Sequence, residues 1–227
     1  MTARLLRTSM WLAAKDLRIE SRSRASLWSA IVLATVAVMI VGLASAPGEV
    51  GRSTVVPAVS WVATLYAALL IGDRLEAVDR EDDARAWLWL TVVDRPAIFL
   101  GKVAACTVLL TVVVLWTWLA MVVLLDVRLA AGVPLIAAVS GLVALSTASI
   151  VVSTATLLAP ATQRSLLLPV TTVPLLVPTS IAGVQATRAV LGVDGGSLAP
   201  WLAILAVEAL LFCGVGLLTY DLIGGPS

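Results

Sequence analysis

The chain has 227 residues, 60% of them hydrophobic and only 13% charged, with a formal net charge of +1 and no histidine. Its mean hydropathy is +1.05, and an apolar share far above the roughly 45–50% of soluble domains points to an integral membrane protein. The near-neutral charge argues against a nucleic-acid module, and Cys106 and Cys213 both lie in apolar runs, which excludes a disulfide framework as the expected scaffold.

In residues 1–24, Leu6, Met10, Ala13 and Leu17 recur at helical spacing, while Lys15, Arg18 and Arg22 form a second stripe. Two readings fit. The segment is an interfacial helix with its apolar side in the acyl boundary and its basic side toward membrane lipid phosphates, or it is a plain basic anchor.

A bilayer core about 30 Å thick takes about 20 apolar residues in a helix. Six stretches meet that length: 25–46, 53–72, 103–125, 133–159, 165–187 and 199–220. The expected fold is therefore an all-α integral membrane protein with six transmembrane helices in one membrane domain spanning 1–227. "ASA" at Ala44–Ala46 resembles a signal-cleavage site. The apolar run before it is longer than the about 7–15 residues of a signal core, and five spans follow, so it reads as an uncut anchor.

Basic residues set orientation, because lysine and arginine are retained in the cytoplasm. Arg4, Arg7, Lys15, Arg18, Arg22 and Arg24 precede the first span; Arg74, Arg80, Arg85, Arg95 and Lys102 lie between the second and third, and Arg164 between the fourth and fifth. The other side receives Arg52, Arg128 and Arg188. Both termini are expected in the cytoplasm.

The segment between the second and third spans, 73–102, concentrates the charge: 12 of the 29 charged side chains fall in Gly72–Lys102. Leu75 and Val78 continue the second helix into water, followed by acidic Asp79, Glu81, Asp82 and Asp83 around Arg80. "AWLWL" (Ala86–Leu90) then offers Trp87 and Trp89, and Asp94 is placed to cap a helix that Pro96 begins. Two readings stay open here as well: a knob that docks a soluble partner, or a solvated loop whose tryptophans rest on lipid headgroups.

Enzyme chemistry finds little support. "DREDDAR" has an Asp-rich look, but Asp83 occupies the position where the metal-binding motif of membrane phosphatidyltransferases needs glycine, and downstream only Asp94 appears. "LGK" (Leu100–Lys102) lacks the glycine-rich run of a phosphate loop. No catalytic residue, metal site or directly bound cofactor is expected.

Two features fall inside later spans. Pro169, Pro174 and Pro178 each remove an amide donor from the fifth, as a fixed kink or as a hinge. Glu208 is the ionisable group deep within the sixth, and an intramembrane carboxyl is a functional candidate by default.

The stretch from Val55 to Lys102 resembles the family of heme exporter protein B, also called cytochrome c maturation protein B. There a Pro-x-x-x-Trp span leads into a Glu/Asp-rich segment, a Leu-rich helix, a turn and a lysine opening the next span. Pro57, Trp61, Asp73, Arg80, Glu81, Asp82 and Lys102 stand at those positions, with Asp83 and Arg85 as departures, where relatives usually carry glycine and leucine. "AAKDLRIESRSR" (Ala13–Arg24) and "LLLPVTTVPLLVPTSIAG" (Leu166–Gly183) are similar to two further patches of the family. The resemblance implies the membrane subunit of an ABC transporter in the type-2 exporter arrangement, acting in heme delivery for c-type cytochromes. Its implied partners are a separate ATPase subunit, which binds the ATP, other cytochrome c maturation membrane proteins, and a second copy of the chain. Asp79, Arg80, Glu81, Asp82, Trp87 and Trp89 then become the ATPase-coupling element. Heme is implied as a substrate of the complex rather than a cofactor of this chain, since histidine, the commonest axial ligand, is absent. The alternatives are a type-2 permease for a lipid, drug or polysaccharide, or a scaffold that remodels a heme-chaperone complex without transport.

Overall fold

Apolar runs of this length hold backbone donors and acceptors beyond the reach of water, so each run closes its hydrogen bonds on itself as a helix. The computed structural model of the chain describes residues 2–23, 25–44, 49–81, 95–127, 132–158, 161, 163–193 and 196–223. Among the described residues there are seven helices and no strand: α1 (Thr2–Ser23), α2 (Ala25–Ala44), α3 (Glu49–Glu81), α4 (Arg95–Leu125), α5 (Val133–Leu157), α6 (Arg164–Val190) and α7 (Ala199–Ile223). The protein is all-α, and α2 to α7 each contain a segment long and apolar enough to cross a membrane.

Local sequence explains several ends. Pro134 sits in the first turn of α5, where its missing N–H is not needed. α6 closes in a Schellman arrangement: the Val193 N–H donates to the Arg188 carbonyl at 3.1 Å and the Gly192 N–H to the Ala189 carbonyl at 3.3 Å. That closure puts Gly192 at φ 69, a left-handed position that glycine takes without a Cβ clash.

α5 is the most buried of the apolar helices and packs against α3, α4, α6 and α7; α4 packs against α1, α2, α3, α5 and α7, and α2 lies on α3 and α4. The interior divides into two layers. One holds Ala67, Ile71, Phe99, Cys106, Leu110 and Val151; the other holds Trp61, Val114, Trp118, Met121, Val143 and Leu205. Glycines set the closest approaches. A Cβ on Gly216 of α7 would overlap the Phe99 ring, and one on Gly72 of α3 would overlap Val151 of α5.

The charged 73–102 stretch is helical at both ends. α3 continues past its apolar window, which ends at Leu75, to Glu81. α4 starts at Arg95, beside the helix start expected at Pro96, and Ala97, Phe99, Gly101 and Lys102 are buried within it.

α1 packs on the bundle through a face beside its apolar stripe. Ala13 is buried and Leu17 packs on the interior, but Leu6 and Met10 are 58% and 72% exposed. The bundle-facing residues are Ser9, Ala13, Asp16 and Glu20. Two physical causes account for this. α1 crosses α4 at Gly101, where a Cβ would lie 2.9 Å from Leu12 Cβ and 3.0 Å from the Ser9 carbonyl oxygen, so small residues are needed on the crossing face. Glu20 turns inward because its carboxylate accepts from Ser26 Oγ at 2.5 Å and from the Leu27 N–H at 3.1 Å. It thereby caps the start of α2, whose first amides have no partner within the helix.

Candidate functional site

Glu208 lies on α7 where α5 and α6 meet it. Its Oε2 accepts a hydrogen bond from Thr179 Oγ1 of α6 at 2.7 Å and a longer one from Ser146 Oγ of α5 at 3.3 Å. The two hydroxyl oxygens are 3.5 Å apart. Ser146 and Thr179 are buried, and the carboxyl is half-buried. The contact does not stand alone. Ser149 Oγ is 3.1 Å from Cys213 Sγ, and Ser153 Oγ donates to the Phe212 carbonyl at 2.9 Å. Serines about one turn apart on α5 therefore each engage α7, and Thr154 meets Thr172 of α6 at 2.9 Å. Polar groups in hydrocarbon need internal partners, and such contacts join neighbouring helices at about 1 kcal/mol each. The Glu208 junction can hold three helices in register.

α6 runs unbroken through Pro169, Pro174 and Pro178. Each proline lacks the amide for the carbonyl four residues earlier, at Ser165, Val170 and Pro174 respectively. Pro174 and Pro178 stand on the exposed side with Val170, Val177 and Ile181, while Thr172, Leu176, Thr179 and Ala182 face inward. The weakened turns thus lie on the outer surface of α6, and its hydrogen-bonding threonines on the inner one.

Of the coupling candidates, Asp79, Arg80 and Glu81 form the last turn of α3. Asp82, Trp87 and Trp89 lie outside the described residues, as does Asp94.

The Pro-x-x-x-Trp pattern has a structural role. Pro57 is buried within α3, and its carbonyl accepts from Ser60 Oγ at 2.8 Å. Trp61, one turn on, is 2% exposed and donates its Nε1–H to Thr187 Oγ1 of α6 at 3.1 Å. Its indole lies against Gly183, where a Cβ would come within 3.1–3.3 Å of the ring. Pro57, Trp61, Gly183 and Thr187 thus form one joint between α3 and α6. Lys102 is 4% exposed beside the α1–α4 crossing and is an interacting residue there.

The family model described as CcmB protein matches residues 7–221. The chain belongs to the CcmB protein family. No match was found among curated proteins. Membership in the CcmB family, with six membrane-crossing helices, makes this a multi-pass membrane component of heme export for cytochrome c maturation, within a complex of other Ccm proteins.

Sequence reasoning missed the α5 serines that meet α7, the capping carboxylate Glu20 and the crossing at Gly101. The signal for the first was present. Ser140, Ser146, Ser149 and Ser153 lie in one apolar run, and small hydroxyl residues in a membrane helix mark the side that meets other helices. Glu20 and Gly101 carried no signal, because each acts on a helix distant in sequence or reached around a turn.

Proposed function

We propose that this CcmB protein is the membrane subunit of an ABC transporter, driven by a separate ATPase that docks on residues 79–90. The observation that carries the reading is the length of α3. Its 33 residues exceed the apolar window Val55–Leu75, and the surplus turns carry Asp79, Arg80 and Glu81 away from the membrane segment. A rigid helix continuing out of a span can transmit force from a docked motor to the α3–α6 joint at Trp61. Trp87 and Trp89 would provide the apolar anchor and Glu81 and Asp82 the orientation, the usual division between aromatic and charged interface residues.

Both termini and residues 79–90 then face the cytoplasm, in keeping with the excess of basic residues on that side. ATP binds to the partner, and the subunit itself catalyses nothing. The functional unit contains two copies, since an ABC pathway needs two membrane halves and the described residues hold one set of six candidate spans. Heme is carried as substrate of the complex, with its axial ligands supplied by a histidine-bearing partner.

The test is co-purification of the ATPase with Glu81→Lys and Trp87→Ala, alongside formation of c-type cytochromes. Loss of a contact of about 2 kcal/mol weakens docking about thirty-fold. Membrane insertion is expected to persist, since neither substitution lies in a span. Wild-type retention of the ATPase by both variants contradicts the docking assignment.

A further inference from the structure

Every basic residue of α1 lies on one side of the helix. At about 100° per residue, Arg4, Arg7, Lys15, Arg18 and Arg22 fall within an arc of about 80°. Trp11 lies in the middle of that arc and is 65% exposed. The arc is opposite the Ser9, Asp16 and Glu20 face that packs on the bundle, so it points away from the described helices. Arg4, Arg7, Arg18 and Arg22 are all exposed there, and Lys15 is bridged to Asp16 at 3.2 Å.

The face is indented. Arg4, Arg7, Thr8 and Trp11 line one open depression of about 650 Å³, and Trp11, Lys15, Arg18 and Arg22 line a second of about 260 Å³. Trp11 is the wall between them. Exposed Met10 flanks the basic arc on one side, with exposed Leu6 beyond it toward the packed face. α2 begins at Ala25, immediately beyond α1, so the helix is held at the level where a membrane span ends.

We propose that these two depressions seat the phosphate groups of anionic membrane lipids, with Trp11 packed between the headgroups. Charge complementarity selects an anion, and guanidinium groups match phosphate oxygens with paired N–H donors. Tryptophan is at home in the headgroup layer, and the Leu6–Met10 flank adds apolar contact to the acyl boundary. The arrangement goes beyond a topological signal. Retention of positive charge depends on how many basic residues flank a span, not on which side of a helix they share. α1 then fixes the lipid shell at the place where it crosses α4 and caps α2, and the assignment is independent of ATPase docking.

The test uses the full chain reconstituted in phosphatidylcholine vesicles containing photoreactive phosphatidylglycerol or, in a parallel sample, photoreactive phosphatidylcholine. Adducts are mapped to the 2–23 peptide by mass spectrometry. The wild type is expected to label with phosphatidylglycerol over phosphatidylcholine by about fivefold or more. The combined variant Arg4→Ser, Arg7→Ser, Arg18→Ser, Arg22→Ser should label equally with both, and the corresponding four lysine substitutions should keep most of the preference. Thermal unfolding in detergent should be unchanged, because these side chains lie away from the packed face. Equal labelling of wild-type α1 by the two lipids overturns the proposal. So does a preference that survives the serine variant, including the case where that variant instead loses a protein partner.

Discussion

α5 and α7 have the same mean hydropathy, 2.3, over their apolar windows, yet 67% of the first window is buried in the molecule and 17% of the second. In water a hydropathy difference would sort inner from outer helices; in lipid it does not, because a leucine gains nothing by leaving hydrocarbon for protein. What separates the two helices is the size and polarity of their small residues. α5 buries Ser140, Ser146, Ser149, Ser153, Thr147, Thr154 and Thr156 together with Ala144 and Ala148, so four helices approach it closely. α7 leaves Val207, Leu210 and Leu218 exposed and meets its neighbours along one face, through buried Leu205 and Ala209 as well as Glu208, the Phe212 carbonyl, Cys213 and Gly216. The most buried helix is lined by small residues that allow close approach, and the peripheral helix is held along one face by apolar packing and a few polar points.

Substitutions on α7 can break this contrast. Gly216→Val should have the largest effect, because a Cβ there would meet Phe99 and Ser153 Oγ, and overpacking of that kind destabilises by about 3 kcal/mol. A detergent unfolding midpoint equal to wild type would show that α7 does not depend on this approach. Glu208→Leu comes next. It leaves the Thr179 and Ser146 hydroxyls without their acceptor, at about 2 kcal/mol, while Glu208→Gln keeps an acceptor oxygen and should recover most of the loss. If Gln and Leu destabilise equally, the junction is not held by hydrogen bonds.

Trp61→Phe removes the Nε1–H donor to Thr187 and also shrinks a buried ring system, so about 2 kcal/mol is expected, of which about 1 belongs to the hydrogen bond. A much larger loss would move the weight of the α3–α6 joint from that bond to ring size. Gly214→Ala is the control. Nothing lies within 4 Å of a Cβ there, two residues from the sensitive Gly216, and the midpoint should shift by less than about 0.5 kcal/mol equivalent. Comparable damage from Gly214→Ala and Gly216→Val would contradict the placement of α7.

Six membrane-crossing helices were legible in the sequence because bilayer thickness imposes a length that composition can be measured against. Which helix is most buried was not, since the same hydropathy suits lipid and protein contact. At α1 the spacing of Leu6, Met10, Ala13 and Leu17 marked a helix correctly but not its packed face. That face was decided by Gly101 on another helix and by the amides of α2 that Glu20 caps. Glu208 stood out as a charge out of place, whereas its partners Ser146 and Thr179 look like ordinary span residues until the helices are assembled. The proline run announced missing amides, but not that α6 continues through them with Pro174 and Pro178 on its exposed side.

The central claim is that residues 79–90 meet a cytoplasmic ATPase. It is tested most directly by photocrosslinking in cells, with benzoylphenylalanine placed at position 87 and, separately, at the exposed α7 position 207. The account predicts a covalent product between position 87 and a soluble ATPase subunit, and none with that subunit from position 207. Absence of that product from position 87, or labelling of the 79–90 stretch by a membrane-impermeant reagent added outside the cell, would contradict it.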